Sequence, residues 1–139
     1  MNNLPAEIMG YFEKFQDVFL ATIEDDKPKV RPMSMVYLDS KFWFLTGTQD
    51  AKMDQIRKNP KIEWCYMFKK GDHVGYIRGN GTADVITDIE LKTSIANRVE
   101  YFDQHWGSPD DPNYTLIEVN TKEVEYMKPG EYIAQRFHL

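Results

Sequence analysis

The sequence is short of the residues from which most small chemical centres are built. One cysteine, Cys65, occurs in 139 residues, which excludes an internal disulfide and any multi-cysteine metal site. The three histidines, His73, His105 and His138, show neither HxH nor HExxH spacing, so no metal site is predicted. No apolar run approaches the ~20 residues that a membrane span requires. The start, Met1-Asn2-Asn3-Leu4-Pro5, lacks the basic and then apolar stretch of a secretion signal, so a cytoplasmic protein with no membrane partner is expected. Repeats, low-complexity tracts and linkers are also missing, and a single domain over residues 1–139 is expected.

Positive charge is likewise in the minority. Seventeen Lys and Arg against 22 Asp and Glu give a net charge of -5 and a pI near 5.2, which argues against a nucleic-acid binder. The balance is uneven along the chain. Residues 27–70 carry ten bases and four acids, and the remainder seven bases and eighteen acids. A small anionic ligand held by the middle segment is therefore compatible with the acidic total. Hydrophobic residues at 42% and charged ones at 28% are ordinary for a globular chain. Aromatics at 14% suffice for a β-rich core or a stacking site.

Periodicity orders the chain. Leu4, Ile8, Tyr11, Phe12 and Phe15 share one face at helical spacing, so the spacing predicts an opening helix that covers one end of a sheet. From Val18 the pattern changes to β-branched and aromatic residues, and Glu24-Asp25-Asp26-Lys27-Pro28 supplies turn chemistry. Extended segments are predicted over 18–23, 29–38 and 42–46 as an antiparallel meander. A short helix with Met53 and Ile56 inward follows, ended by Asn59-Pro60. Further strands are predicted over 61–68, 73–86, 114–119 and 123–127, the last two as a hairpin. Gly75, Gly79 and Gly81 suggest a bend or bulge. Thr87-Asp88-Ile89-Glu90 reads as a capping box that opens a helix bearing Leu91, Ile95 and Val99. The expected fold is mainly β, a small antiparallel barrel of about six or seven strands with two or three capping helices.

Two stretches could carry chemistry. Thr46-Gly47-Thr48, at a strand end running into a helix, gathers hydroxyls, a glycine and free N–H groups, an arrangement that suits phosphate. Lys52 one turn on could add a full charge, and Arg31 on the neighbouring strand a bidentate fork. The same residues also suit a plain helix cap by Thr48 or Asp50 with solvated bases. In Arg31-Pro32-Met33-Ser34-Met35 the proline removes a ladder donor, leaving backbone groups free to face a planar heterocycle, or simply bending an edge strand.

These residues carry a resemblance. Val18-Phe19-Leu20-Ala21-Thr22-Ile23, Pro28-Lys29-Val30-Arg31-Pro32-Met33, Phe42-Trp43-Phe44-Leu45-Thr46-Gly47-Thr48, Lys52 and Ile56-Arg57-Lys58-Asn59-Pro60 resemble, in order and spacing, the pyridoxamine 5′-phosphate oxidase-like family of FMN-binding split β-barrels. The resemblance covers residues 11–127. It implies an FMN site in which Arg31 reaches the phosphate and ribityl region and the backbone of Pro32, Met33 and Ser34 lies along the ring edge. Thr46, preceded by Leu45 and followed by Thr48, would supply a hydroxyl, and Lys52 the basic phosphate ligand. Fuller oxidases carry Ser-Arg-Lys where this chain has Asp50-Ala51-Lys52.

The family is dimeric with flavin at the subunit interface, so the resemblance implies a homodimer. It also makes Trp106 and Trp64 the candidates for stacking on the ring from the partner subunit. Function is expected to be that of an FMN-dependent oxidoreductase passing hydride or electrons from a reduced nicotinamide or similar donor to a small acceptor, with no catalytic acid or base assigned. A flavin-holding stress or sensor protein, or a barrel for deazaflavin or haem, is the alternative. A pyridoxamine phosphate oxidase proper is disfavoured, because Arg136 is the one Lys or Arg after Lys128.

Overall fold

The computed structural model describes residues 3–139; Met1 and Asn2, the first residues of the start that lacks the pattern of a secretion signal, lie outside them. In chain order the elements are α1 (Ala6–Met9), β1 (Phe15–Glu24), β2 (Lys27–Leu38), β3 (Lys41–Gly47), α2 (Ala51–Lys58), β4 (Lys61–Lys70), β5 (His73–Ile86), α3 (Ile89–Asn97), a single turn at Phe102–Gln104, β6 (Tyr114–Met127) and β7 (Gln135–His138). The strands lie in the order β3-β2-β1-β4-β5-β6-β7, and a further β3–β6 pairing closes the first six into a barrel. Every pairing is antiparallel. The mainly β barrel expected from strand counting is the observed fold.

The barrel is split, and the split is visible in the register. β2 pairs with β1 along its length, from Glu24↔Lys27 to Phe15↔Val36. With β3 it pairs only from Val36↔Trp43 to Leu38↔Lys41. Beyond that point the two strands part, and β3 continues against β6 from Phe42↔Val119 to Gly47↔Tyr114. Residues 27–35 of β2 and 44–47 of β3 therefore border a gap.

Two cores hold this arrangement. Leu20, Met35, Phe44, Trp64 and Ile117 fill the first, into which α1 and the residues on either side of it send Leu4, Ile8 and Phe12. Trp43, Leu45, Ile95, Phe102, Trp106 and Leu116 belong to the second, where α3 and its following loop cover β3 and β6. Alternate residues of β3 enter the two cores, which is why its run is apolar without alternation. Each fully buried aromatic or branched side chain contributes about 1.5–3 kcal/mol.

Three expectations are corrected. The opening helix is confined to Ala6–Met9: Gly10 is a poor helix former, and Phe15 is already paired with Val36 in the sheet. No hairpin divides residues 114–127. β6 runs through, and the apparent turn at Asn120-Thr121-Lys122 is a bulge where the register with β5 shifts from Asn80↔Glu123 to Gly81↔Thr121. Glycine is required there, since a Cβ on Gly81 would run into the Asn120 backbone. The tail past Met127 adds β7 along the end of β6. Finally, Asp88 rather than Thr87 caps α3, its Oδ1 accepting the Glu90 N–H at 3.0 Å. Among the described residues no helix is long and apolar enough to cross a membrane.

Candidate functional site

The gap between β2 and β3 forms a cavity of about 390 Å³, within the range of small-molecule sites. Met33 and Ser34 of β2 line it, as do Leu45, Thr46 and Gly47 of β3 and Asp50 and Lys52 at the start of α2. Tyr101, His105 and Trp106, from the loop after α3, complete the lining. Topology puts these segments together: the parting of β2 and β3 opens the space, and α2 begins where β3 ends.

One end of the cavity is polar. Lys52 is 8% exposed, and its Nζ donates to Thr46 Oγ1 at 2.7 Å and to Asp50 Oδ2 at 2.8 Å. Thr46 Oγ1 in turn donates to Asp50 Oδ2 at 2.9 Å. A buried ammonium requires a counter-charge and hydrogen-bond acceptors, and Asp50 and Thr46 supply both. The Lys52 hydrogen bond, helped by that of Thr46, holds the Asp50 carboxyl below the ordinary carboxylate range. The plain-cap alternative is not what is seen. Asp50 stands at the N-cap position of α2, but its side chain makes no capping bond. The Thr48 hydroxyl donates to the Pro112 carbonyl at 2.8 Å and lies 2.8 Å from the Thr115 hydroxyl, tying the end of β3 to the chain around the start of β6.

The other end is aromatic. Trp106 packs against Phe102 and Tyr114, with ring centroids 5.2 and 5.3 Å apart, and its Nε1–H donates to the Asn113 carbonyl at 3.0 Å. The indole is thus fixed by its own chain. Burial pushes the Tyr101 phenol up, and the nearby Ser34 side chain opposes that shift. His105 stands edge-on to the Tyr101 ring at 5.9 Å.

Arg31 is engaged elsewhere. Its Nη1 donates to the Leu20 carbonyl at 3.2 Å and its Nη2 to Gln55 Oε1 at 2.9 Å, and burial lowers its pKa. Gln55 Oε1 also accepts the Thr22 hydroxyl at 2.5 Å, while Gln55 Nε2 donates to Glu24 Oε2 at 3.0 Å. This network joins β1, β2 and α2.

Of the residues singled out from sequence, Met33, Ser34, Leu45, Thr46, Lys52 and Trp106 meet at the cavity, whereas Arg31, Pro32 and Thr48 do not line it. Trp64 is buried in the barrel core, its ring lying where a Cβ on Gly79 would stand. Gly47 and Asp50 also line the cavity and belong to the strand-to-helix junction singled out from sequence, Asp50 as a helix cap, whereas Tyr101 and His105 are lining residues to which the sequence assigned no place in the flavin site. Asp50 had a signal in its spacing, four residues after Thr46 and two before Lys52. Tyr101 and His105 lie in an irregular loop where periodicity says nothing.

The donor set fits the flavin mononucleotide that the resemblance implies in two respects. Apolar and aromatic side chains offer a wall for a planar ring, and a hydroxyl and an ammonium line the same cavity. The formal charge of the Lys52–Asp50 pair is zero.

Residues 4–128 match the pyridoxamine 5′-phosphate oxidase family. General stress protein 26 of Bacillus subtilis (strain 168) is 26% identical over 120 residues, 81% of this chain and 79% of that protein. The crystal structure of General Stress Protein 26 from Bacillus anthracis is similar with a TM-score of 0.75 and 26% identity, covering 96% of each chain. A nimC/nimA family protein from Clostridium acetobutylicum shares the fold with a TM-score of 0.79 at 22% identity, over 96% of this chain and 90% of its own.

Proposed function

The chain belongs to the pyridoxamine 5′-phosphate oxidase family, which typically binds flavin and has a haem-binding protein among its structural neighbours; from that membership we propose an FMN-binding oxidoreductase of small substrates, working in the cytoplasm. The observation that carries the reading is the cavity itself, with Lys52 and Thr46 at one end and Leu45, Tyr101 and Trp106 along the wall. When bound, FMN supplies hydride or electron transfer from a reduced nicotinamide or similar donor to an acceptor. Lys52 Nζ and Thr46 Oγ1 are the donors for the phosphate end. Met33 and Ser34, past the last β2–β3 pair at Val36↔Trp43, offer backbone N–H and C=O groups to the amide edge of the ring. Leu45 and Trp106 exclude water. Arg31 acts through Gln55, holding α2 and with it Lys52. A phosphorylated pyridoxamine substrate is disfavoured, since Arg136, the one base of the tail past Lys128, is engaged by Glu125 at 3.1 Å.

The partner in this proposal is a second copy of the chain, with the flavin between the two. Phe19, Val30 and Met67 are 50%, 68% and 58% exposed on the outer faces of β1, β2 and β4. Phe19 lies opposite Pro32 and Cys65, and Pro32 is two residues from Ser34 of the cavity. Such a patch marks an interaction surface.

The test is anaerobic mixing of the FMN-loaded protein with NADH or NADPH. Bleaching of the flavin, followed by recovery on adding an acceptor, supports the oxidoreductase. Flavin retained but reduced by neither donor favours the alternative, a flavin-holding stress or sensor protein. A haem reading draws on His105, which lines the same cavity. A haem absorption band abolished by His105→Ala would replace flavin with haem.

A further inference from the structure

We propose that Asp50 sets the ligand specificity of the cavity: by neutralising Lys52 it makes the site accept a flavin ring with its polyol about as readily without the phosphate as with it. This rests on the flavin reading above.

A phosphate ester is preferred over its alcohol when the site offers uncompensated positive charge. Here the buried ammonium already has a full counter-charge at 2.8 Å, and two of its three N–H bonds go to Asp50 and Thr46. The rest of the first turn of α2 adds no base: Ala51 and Met53 are uncharged and Asp54 is acidic. Arg31 is held by Gln55 and the Leu20 carbonyl. A phosphate dianion approaching Lys52 must therefore lie beside the Asp50 carboxylate or push it aside. Like charges a few ångströms apart repel strongly even when partly solvated. The Asp50 side chain is 53% exposed, so it can swing outward and admit a phosphate, at the loss of its bonds to Lys52 and Thr46. The ring and polyol contacts, by contrast, do not involve its charge.

The test is a fluorescence titration of the full chain and its Asp50→Asn variant with FMN and with riboflavin. In the wild type the two affinities are expected to agree within about tenfold. In Asp50→Asn, FMN is expected to tighten by about tenfold or more while riboflavin stays within about twofold, because only FMN carries the charge that Asp50 repels. A wild-type preference for FMN greater than about tenfold would overturn the proposal, as would equal gains for both flavins, no gain, or a loss of FMN affinity in the variant. Asp50→Ser provides the same charge removal should Asp50→Asn fold poorly, and the wild-type ratio stands on its own. Binding of neither flavin to either protein would overturn the flavin reading and this proposal together. Binding of both flavins with the wrong ratios would overturn this proposal alone.

Discussion

Arg31 Nη2 lies 2.9 Å from Gln55 Oε1, so the one arginine of β2 is engaged in holding α2 and does not line the cavity. Gln55 also receives the Thr22 hydroxyl and reaches Glu24, and at 6% exposure it has little water to replace these partners. Gln55→Ala is expected to destabilise the fold by about 1–3 kcal/mol, the range for stranding buried hydrogen-bonding groups. It should weaken FMN and riboflavin alike, since α2 shifts as a unit. Thermal unfolding and parallel titrations check this. A loss confined to FMN would show instead that the network delivers charge to the phosphate.

Lys52→Ala leaves the Asp50 carboxylate in the cavity without its counter-ion. FMN affinity should fall by at least about tenfold while riboflavin changes little, because only the phosphate meets the exposed negative charge. Titration of both flavins decides the matter. Equal weakening would mean that Lys52 does not face the phosphate.

Glu125 accepts hydrogen bonds from Tyr76 Oη at 2.8 Å and Arg136 Nε at 3.1 Å and pairs with Arg78 at 2.8 Å. The Tyr76 bond foremost, with the two arginines, holds its pKa below the ordinary carboxylate range. A carboxylate with a depressed folded pKa gives stability that is present above the unfolded value and is lost as the pH falls through the folded one. Acid destabilisation should therefore begin near the ordinary carboxylate pKa of about 4.3 and deepen below it. Glu125→Gln should flatten this acid limb and lower stability near neutral pH by about 1 kcal/mol. Melting temperature against pH provides the check, and an unchanged acid limb would assign the effect to other carboxylates.

Phe19 is exposed on the outer face of β1, so Phe19→Glu should alter the fold's stability by no more than about 0.5 kcal/mol. If the second copy covers this face, the same change converts a dimer into a monomer and weakens flavin. Light scattering measures the first effect and titration the second. A variant that stays dimeric would place the interface elsewhere.

Much of the barrel is legible in the sequence. The meander of β1 to β3, the helix ended at Asn59-Pro60 and the span of β5 announce themselves through alternation, β-branched runs and Gly or Pro punctuation. The junction of β3 and α2 carried Thr46 and Lys52 to the site for the same reason. Side-chain direction was less legible. Whether Arg31 reaches a ligand or Gln55 depends on an acceptor 24 residues away, which local pattern cannot reveal. Asp50 suits a cap by residue type, yet the buried Lys52 draws it away. Asn120-Thr121-Lys122 looks like a turn, and only the pairing of β5 with β6 makes it a bulge.

The most direct measurement is the visible absorption spectrum of the purified protein after FMN is added and free flavin removed by gel filtration. The account predicts a flavin spectrum that stays with the protein at about one flavin per chain, with the fluorescence of added FMN quenched on binding. A colourless protein that neither quenches nor shifts added FMN would contradict it.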